Sequence, residues 1–371
     1  MDVKDISALV NSATQQAVGT AALTVIDDTG VIALGNTVLS SDTNTENWTG
    51  ALFRLIGMQI ISHRRYEPSL MRMLRNDFEW GAVVQKINIG MPEVEEDQSY
   101  DIADGSSVDM YKVNKLPVTQ SLFTTQTPYQ IHISVKRQEL QEAFRSMNKM
   151  GAFIAAHFGE VQNAINLALE RLNMNTVNNY IAEVNTNAKR EIKLITEFNA
   201  KYEETLTADN ALESDAFLRY AIRRIKLVSD RMVRMTKGAF NNGTKERHTP
   251  YSMQNLYVAS DFERALETVS LYQAFHDNYL KLQGYETVPF WQSIETPLDV
   301  HVKRASDSED TTVSGVIATL FDYEALGTYK SDQWSAATPL NAAGGYINYY
   351  WHMKDLYFND LSENFVSFIL A

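Results

Sequence analysis

The 371-residue chain carries 46 acidic against 33 basic residues, a formal net charge of −13, and no cysteine. The missing thiols exclude a disulfide framework, a thiolate zinc site and a cysteine nucleophile, and fit a reducing compartment. The acid excess speaks against wrapping nucleic acid through clustered lysine and arginine, and the length suffices for a large core spread over two or more subdomains.

Met1-Asp-Val-Lys-Asp5 lacks the basic and apolar regions of a secretion signal. Gly50–Ile61, the nearest approach to a membrane span, is short and contains Arg54, so a non-secreted, non-membrane protein is expected. Residues 1–45 read as an arm. Val3, Ile6, Leu9 and Val10 suggest a short amphipathic helix, Asp27-Asp-Thr-Gly30 a turn, and Ser40–Thr45 a loop. Trp48–Arg75 should be helical, divided at Pro68; Arg54, His63, Arg64, Arg65, Arg72 and Arg75 make it either a solvated basic face or a dock for something acidic.

Val83, Ile87 and Ile89 alternate with Lys86 and Asn88, predicting a strand, and Tyr129, Ile131, Ile133 and Val135 alternate with Gln130, His132 and Ser134, predicting a second strand with one apolar face. Between them lie Glu93, Glu95, Glu96, Asp97, Asp101, Asp104 and Asp109, opposed only by Lys112 and Lys115. Connections this long are functional or disordered, and the ligand spacing of a calcium loop is missing.

Gln138–Met147 predicts a short helix. Met150–Glu183 then holds the longest helical pattern: Ile154, Phe158, Val161, Ile165, Leu169, Leu172, Tyr180 and Val184 step by three and four, while Glu160, Asn163, Glu170, Arg171, Asn178 and Glu183 fall off the stripe. Such a helix is about 50 Å long and reads as a spine on which other elements hang. Lys189–Leu206 is mixed. Ala211–Thr236 predicts a second helix with an arginine-rich outer face, solvated or touching another chain or nucleic acid, and with acid-first pairs Asp215–Arg219 and Asp230–Arg234. A polar loop (Gly238–Pro250), a strand (Leu256–Ala259) and a helix opened by a Ser260/Glu263 capping box and ended by Gly284 follow. Val300–Val302, Val316–Phe321, Gly345–His352 and Asn364–Leu370 read as strands.

No phosphate-binding glycine loop, dinucleotide fingerprint, nucleophile elbow or zinc-protease histidine pair occurs. His157, beside the spine stripe, and His132 and His352, in strands, read as packed or hydrogen-bonded residues rather than ligands. No catalytic residue, cofactor or metal is expected, although an enzyme built from scattered residues stays open.

The element order is arm, two-stranded excursion, spine helix, and a mixed region closed by aromatic strands. With it go Phe78-Glu-Trp-Gly-Ala-Val-Val84, Leu140-Gln-Glu-Ala-Phe144, Leu256-Tyr-Val-Ala-Ser-Asp-Phe262, Thr338-Pro-Leu-Asn-Ala342, Tyr349-Tyr-Trp-His352 and Asn364-Phe-Val-Ser-Phe368. In these features the chain resembles the major capsid proteins of tailed double-stranded DNA bacteriophages. The resemblance implies an α+β, Hong Kong 97-type capsid fold: N-arm 1–45, basic helical segment of the P-domain 46–77, E-loop hairpin 78–136, P-domain with the spine 137–200, A-domain 201–345 and C-terminal strands 346–371. It further implies a non-enzymatic virion protein, assembled in the host cytoplasm into hexamers and pentamers of an icosahedral shell. The implied partners are a portal, a separate scaffolding protein where one is used, and enclosed DNA bound without sequence specificity.

An encapsulin-like compartment is the alternative within the same fold, and a cytosolic α+β enzyme the alternative of another class. The arm is too short and Ser/Thr-rich for the charged scaffold segment of some relatives, and no Lys–Asn crosslinking pair can be placed. It is expected to order only when laid across neighbouring subunits. In the family the E-loop reaches over the adjacent subunit. The expected subunit interface therefore joins Glu93, Glu95, Glu96, Asp97, Asp101 and Asp104 at the tip to Arg64, Arg65, Arg72 and Arg75 of a neighbour.

Overall fold

The computed structural model describes residues 3–18, 28–59, 69–75, 83–92, 94–109, 111, 113–185, 189–268, 285–303 and 310–371. Three helices come first, α1 (Val3–Val18), α2 (Asp28–Val38) and α3 (Asp42–Gln59), then the short strand β1 (Leu74–Arg75). β2 (Val84–Ile89), β3 (Val118–Phe123) and β4 (Gln126–Lys136) precede α4 (Arg137–Ala143) and the long α5 (Met147–Val184). Next are β5 (Glu191–Lys193), α6 (Leu194–Tyr202), α7 (Ala208–Ala211) and α8 (Asp215–Met232). β6 (Thr236–Lys237), β7 (Glu246–Arg247), β8 (Gln254–Ala259), α9 (Ser260–Thr268) and β9 (Tyr285–Val288) follow. The chain ends in β10 (Val300–Val302), β11 (Thr311–Val313), β12 (Val316–Asp322), β13 (Leu326–Ala337), β14 (Tyr346–Asn359) and β15 (Phe365–Ile369).

The spine is α5, capped by the Ser146 hydroxyl, which accepts from the Lys149 N–H at 3.3 Å. Its stripe is buried as the spacing predicts at Ile154, Val161, Ile165, Leu169, Tyr180 and Val184. Two different cores share it. Met150 through Ile165 belong to one with α1–α3, α4 and β14, whereas Val177 through Val184 belong to another with Tyr257, Trp291, Phe321 and Phe365. Asn178, expected off the stripe, is buried: its Nδ2 donates to the Trp291 carbonyl at 2.7 Å.

A four-stranded sheet, in the order β1-β13-β14-β4, covers the first core. Along β14, Ile347, Tyr349, Trp351 and Met353 point inward, and the intervening Tyr350, His352 and Lys354 are half-buried. A five-stranded sheet, β5-β15-β12-β8-β9, lies over α6 and α8. Its β12 and β15 are buried at every residue, as their nearly unbroken apolar runs require of strands covered on both faces. α8 buries Phe217, Leu218, Ala221, Ile225, Val228 and Met232 beneath it.

The N-terminal region departs from the expected arm. Leu9, Val10, Ala13, Val31, Leu34 and Val38 lie in the same core as Trp48, Phe53 and the spine. The Trp48 indole donates to Thr14 Oγ1 at 3.1 Å, and Phe53 stacks on Tyr349 with centroids 4.1 Å apart. The described part of residues 1–45 thus packs on its own chain, its apolar residues at helical spacing joining the core shared by α3, β14 and the spine. Asp28-Thr-Gly30 opens α2 instead of making a turn, and Ser40–Thr45 runs into α3. Gly35 lets α2 approach the chain entering the spine so closely that a Cβ there would lie 2.6 Å from Phe144 Cβ.

Other differences are local. Beyond Pro68, itself outside the described residues, the expected second helical piece is one 3₁₀ turn (Met71–Met73) leading to β1. The long helix over Ala211–Thr236 is split: Ser214 caps α8 after the separate turn α7. The capping box at Ser260 does not form. Ser260 donates to the Pro289 carbonyl, and both oxygens of Glu263 accept from Tyr285 and Thr287 across the sheet edge. Where α9 ends beyond Thr268 lies outside the described residues.

Candidate assembly surface

β2 pairs with β3, from Val84 opposite Phe123 to Ile89 opposite Val118, so the return strand of the excursion is Val118–Phe123. The expected return strand, Tyr129–Val135, belongs instead to β4, which pairs with β14. Among the described residues this two-stranded hairpin joins no other sheet. The described residues between its strands are almost all exposed: Val94 is 99% accessible and Tyr100 90%.

The alternation seen in the sequence is real, and its apolar face is the one turned to solvent. Ile87, Ile89, Val118 and Leu122 share one face and are 59%, 66%, 63% and 58% exposed. Val84, Lys86, Asn88 and Phe123 take the face turned to the body. Val84 and Phe123 pack beside Tyr329, Leu356 and Phe358. Lys86 Nζ lies 2.5 Å from Glu363 Oε1 and 3.1 Å from both Asp360 Oδ2 and Glu324 Oε2. Arg247 donates to Asn88 Oδ1 at 2.7 Å and pairs with Glu363 at 2.9 Å. Burial works against the Lys86 charge, but Glu363, Asp360 and Glu324 outweigh it and raise its pKa. Burial likewise opposes the Asp360 charge; Ser362 and Lys86 prevail and lower its pKa. Nothing in the local sequence signals this cluster, whose members lie up to 277 residues apart.

Of the residues expected to dock, Glu95, Glu96, Asp97, Asp101 and Asp104 stand exposed beyond the hairpin. Hydrogen bonds from Ser99 hold the Asp97 pKa below the usual carboxylate range. Glu93, Arg64 and Arg65 lie outside the described residues. Arg75 is committed within its own subunit. Its guanidinium sits 4.2 Å over the Tyr323 ring, donates to Tyr329 Oη at 3.1 Å and also donates to the Tyr323 carbonyl. Arg72 is half-buried, its charge acting on the buried Tyr257. Among the described residues the acidic and basic sets are not brought together within one chain.

Exposed cations occur elsewhere, at Arg219, Arg223 and Arg231 on α8 and at Arg234 just beyond it. Arg224 of that helix is taken by Glu197 through two bonds of 2.7 and 2.8 Å, and Asp230, expected to pair with Arg234, accepts from Tyr251. His157 is half-buried against Phe153 and Phe53, His352 stacks on Trp334 at 3.8 Å, and His132, expected to be packed, is exposed. No helix among the described residues is long and apolar enough to cross a membrane.

The fold is that of phage capsid subunits. The capsid structure of Staphylococcus phage Andhra matches with a TM-score of 0.52 at 12% identity, covering 84% of this chain and 86% of that one. The capsid of cyanophage P-SCSP1u matches at 0.49 and 10% identity, covering 84% and 90%. A search of curated protein sequences finds no match. The model of the Phi29-like phage major capsid proteins matches residues 6–369, and the chain belongs to that family. It is a structural protein of the capsid shell.

Proposed function

We propose that the chain tiles an icosahedral shell as hexamers and pentamers around double-stranded DNA, each E-loop hairpin lying on the adjacent subunit. One observation carries the reading: a strand pair that turns its charges toward its own body and four large apolar side chains to solvent. An apolar face built this way is stable only once covered, and a second copy of the same chain supplies cover at every contact of a closed shell.

The acidic tip (Glu95, Glu96, Asp97, Asp101 and Asp104, with Glu93 beside them in sequence) then docks near cations of the neighbour. Arg64 and Arg65 of the basic segment are the proposed partners, since Arg75 and the half-buried Arg72 serve their own subunit. The net charge of −13 suits a wall that leaves packed DNA mobile. Assembly takes place in the host cytoplasm, with a portal and with a separate scaffolding protein or none. No catalytic turnover is involved.

Expression of the chain alone and with its neighbouring genes, imaged by electron microscopy, tests this. Large angular shells are expected. Small uniform shells would favour a protein-filled compartment, and a soluble monomer under all conditions would refute the shell.

A further inference from the structure

We propose that Lys86 is the pin of an ionic latch that sets the direction in which the hairpin leaves the subunit. Among the described residues the hairpin pairs with no strand of the body, and a lone two-stranded hairpin is marginally stable in water. Beyond the two-residue link from Phe123 into β4, where the Thr125 carbonyl accepts from the Tyr357 N–H at 3.2 Å, its described attachments are the small apolar contact of Val84 and Phe123, the Asn88–Arg247 bond, and Lys86.

Among the described hairpin residues, Lys86 reaches two separate turns of the body. Glu324 lies between β12 and β13, and Asp360 and Glu363 lie between β14 and β15. The second turn is fastened to the spine, because Tyr180 Oη donates to the Asp360 carbonyl at 2.9 Å and receives a bond from Arg190 at 3.1 Å. Asp322 adds a fourth carboxylate beside the group, held by Thr249 at 2.6 Å. Among the described residues Lys86 pairs with Glu324, Asp360 and Glu363, and Arg247 pairs with Glu363. The side chains of Asp360 and Glu363 are only 6% and 5% exposed. Drawing Lys86 away leaves them with less than their countercharge, so the body holds the hairpin and the hairpin neutralises the body. Charged hydrogen bonds are directional in a way that apolar contact is not. The hairpin's angle therefore follows the lysine.

The importance of that angle rests on the shell reading, but its test does not. Hydrogen exchange is measured on the purified full-length protein before assembly. Lys86→Met should speed exchange over residues 84–89 and 118–123 about tenfold and leave β12 and β15 unchanged; Lys86→Arg should restore most of the protection. Should Lys86→Met fail to fold, the triple variant Lys86→Met, Asp360→Asn, Glu363→Gln removes the orphaned charges and should show a protected body with a loosened hairpin. Hairpin exchange at the wild-type rate in either variant would overturn the latch, as would equal acceleration of hairpin and body in the triple variant. A wild-type protein that shows the expected exchange pattern but forms no shells would refute the shell and leave the latch standing.

Discussion

Replacing Ile87, Ile89, Val118 and Leu122 together by threonine should impair assembly and spare the subunit. Threonine has the β-branched shape that strands favour, kept from Ile87, Ile89 and Val118 and introduced at Leu122, so the hairpin itself should persist. Fully burying one such apolar side chain is worth about 1.5–3 kcal/mol. Each of the four is still 58–66% exposed, which leaves about 1–2 kcal/mol per residue to be gained on contact. The sum is roughly 4–8 kcal/mol per covered hairpin, an upper bound because association has its own entropic cost. Threonine retains one methyl, so the quadruple variant should lose about half of that gain at each contact. Urea unfolding of the unassembled subunit should stay within about 0.5 kcal/mol of wild type, as for other surface changes, while sedimentation shows few or no shells. Wild-type shell yield, or a subunit destabilised by several kcal/mol, would show that this face is not the one a neighbour covers.

In the spine, Ile165→Asp puts a carboxylate into a site that is 3% exposed. The lost apolar contact and the buried charge should cost more than about 4 kcal/mol, a large share of a total stability of 5–15 kcal/mol. Circular dichroism of the soluble fraction would expose an error, since wild-type melting would place the stripe toward solvent. For Glu197, the Arg224 hydrogen bonds outweigh burial and depress the pKa. A depressed carboxylate stabilises the fold above its unfolded pKa and ceases to do so as pH falls through the lowered folded value. Glu197→Gln should therefore lower the melting temperature at neutral pH, and the difference from wild type should vanish in acid. A difference that persists unchanged through that acidic range would contradict the ion-pair account.

What could be read from the sequence depended on how far apart the deciding partners lie. The spine was legible because its periodicity is local: Met150–Glu183 was expected and Met147–Val184 is observed. The fully buried β12 and β15 announced themselves as apolar runs. α2 was hidden by Asp28-Thr-Gly30, whose local turn preference is overridden by Val31, Leu34 and Val38 docking in the core. β13 carries Lys330, Ser331, Asp332 and Gln333 in its middle and shows its strand character only through pairing with β14 and β1. The acidic tip was visible as composition. The sense of the hairpin was not, since alternation distinguishes two faces without saying which is inward. Lys86 decides that sense through Glu324, Asp360 and Glu363, all more than two hundred positions away.

That outward apolar face explains why the hairpin root uses charge where a domain would ordinarily use apolar packing. Apolar contact is non-directional and proportional to area, so a hairpin fastened by its isoleucines would spend on its own subunit the surface that a neighbour must cover. Fastening it through Lys86 and Asn88 separates the two tasks. The charged face fixes the angle within the subunit, and the apolar face stays free to be covered. Salt acts oppositely on the two: it screens an exposed ion pair over about 10 Å at 0.1 M but strengthens apolar burial when the ion is strongly excluded. With Lys86 only 17% exposed, the latch is largely shielded from that screening. Strongly excluded salts such as sulfate should accordingly promote hairpin coverage before they loosen the root, so the angle is set before the contact is made.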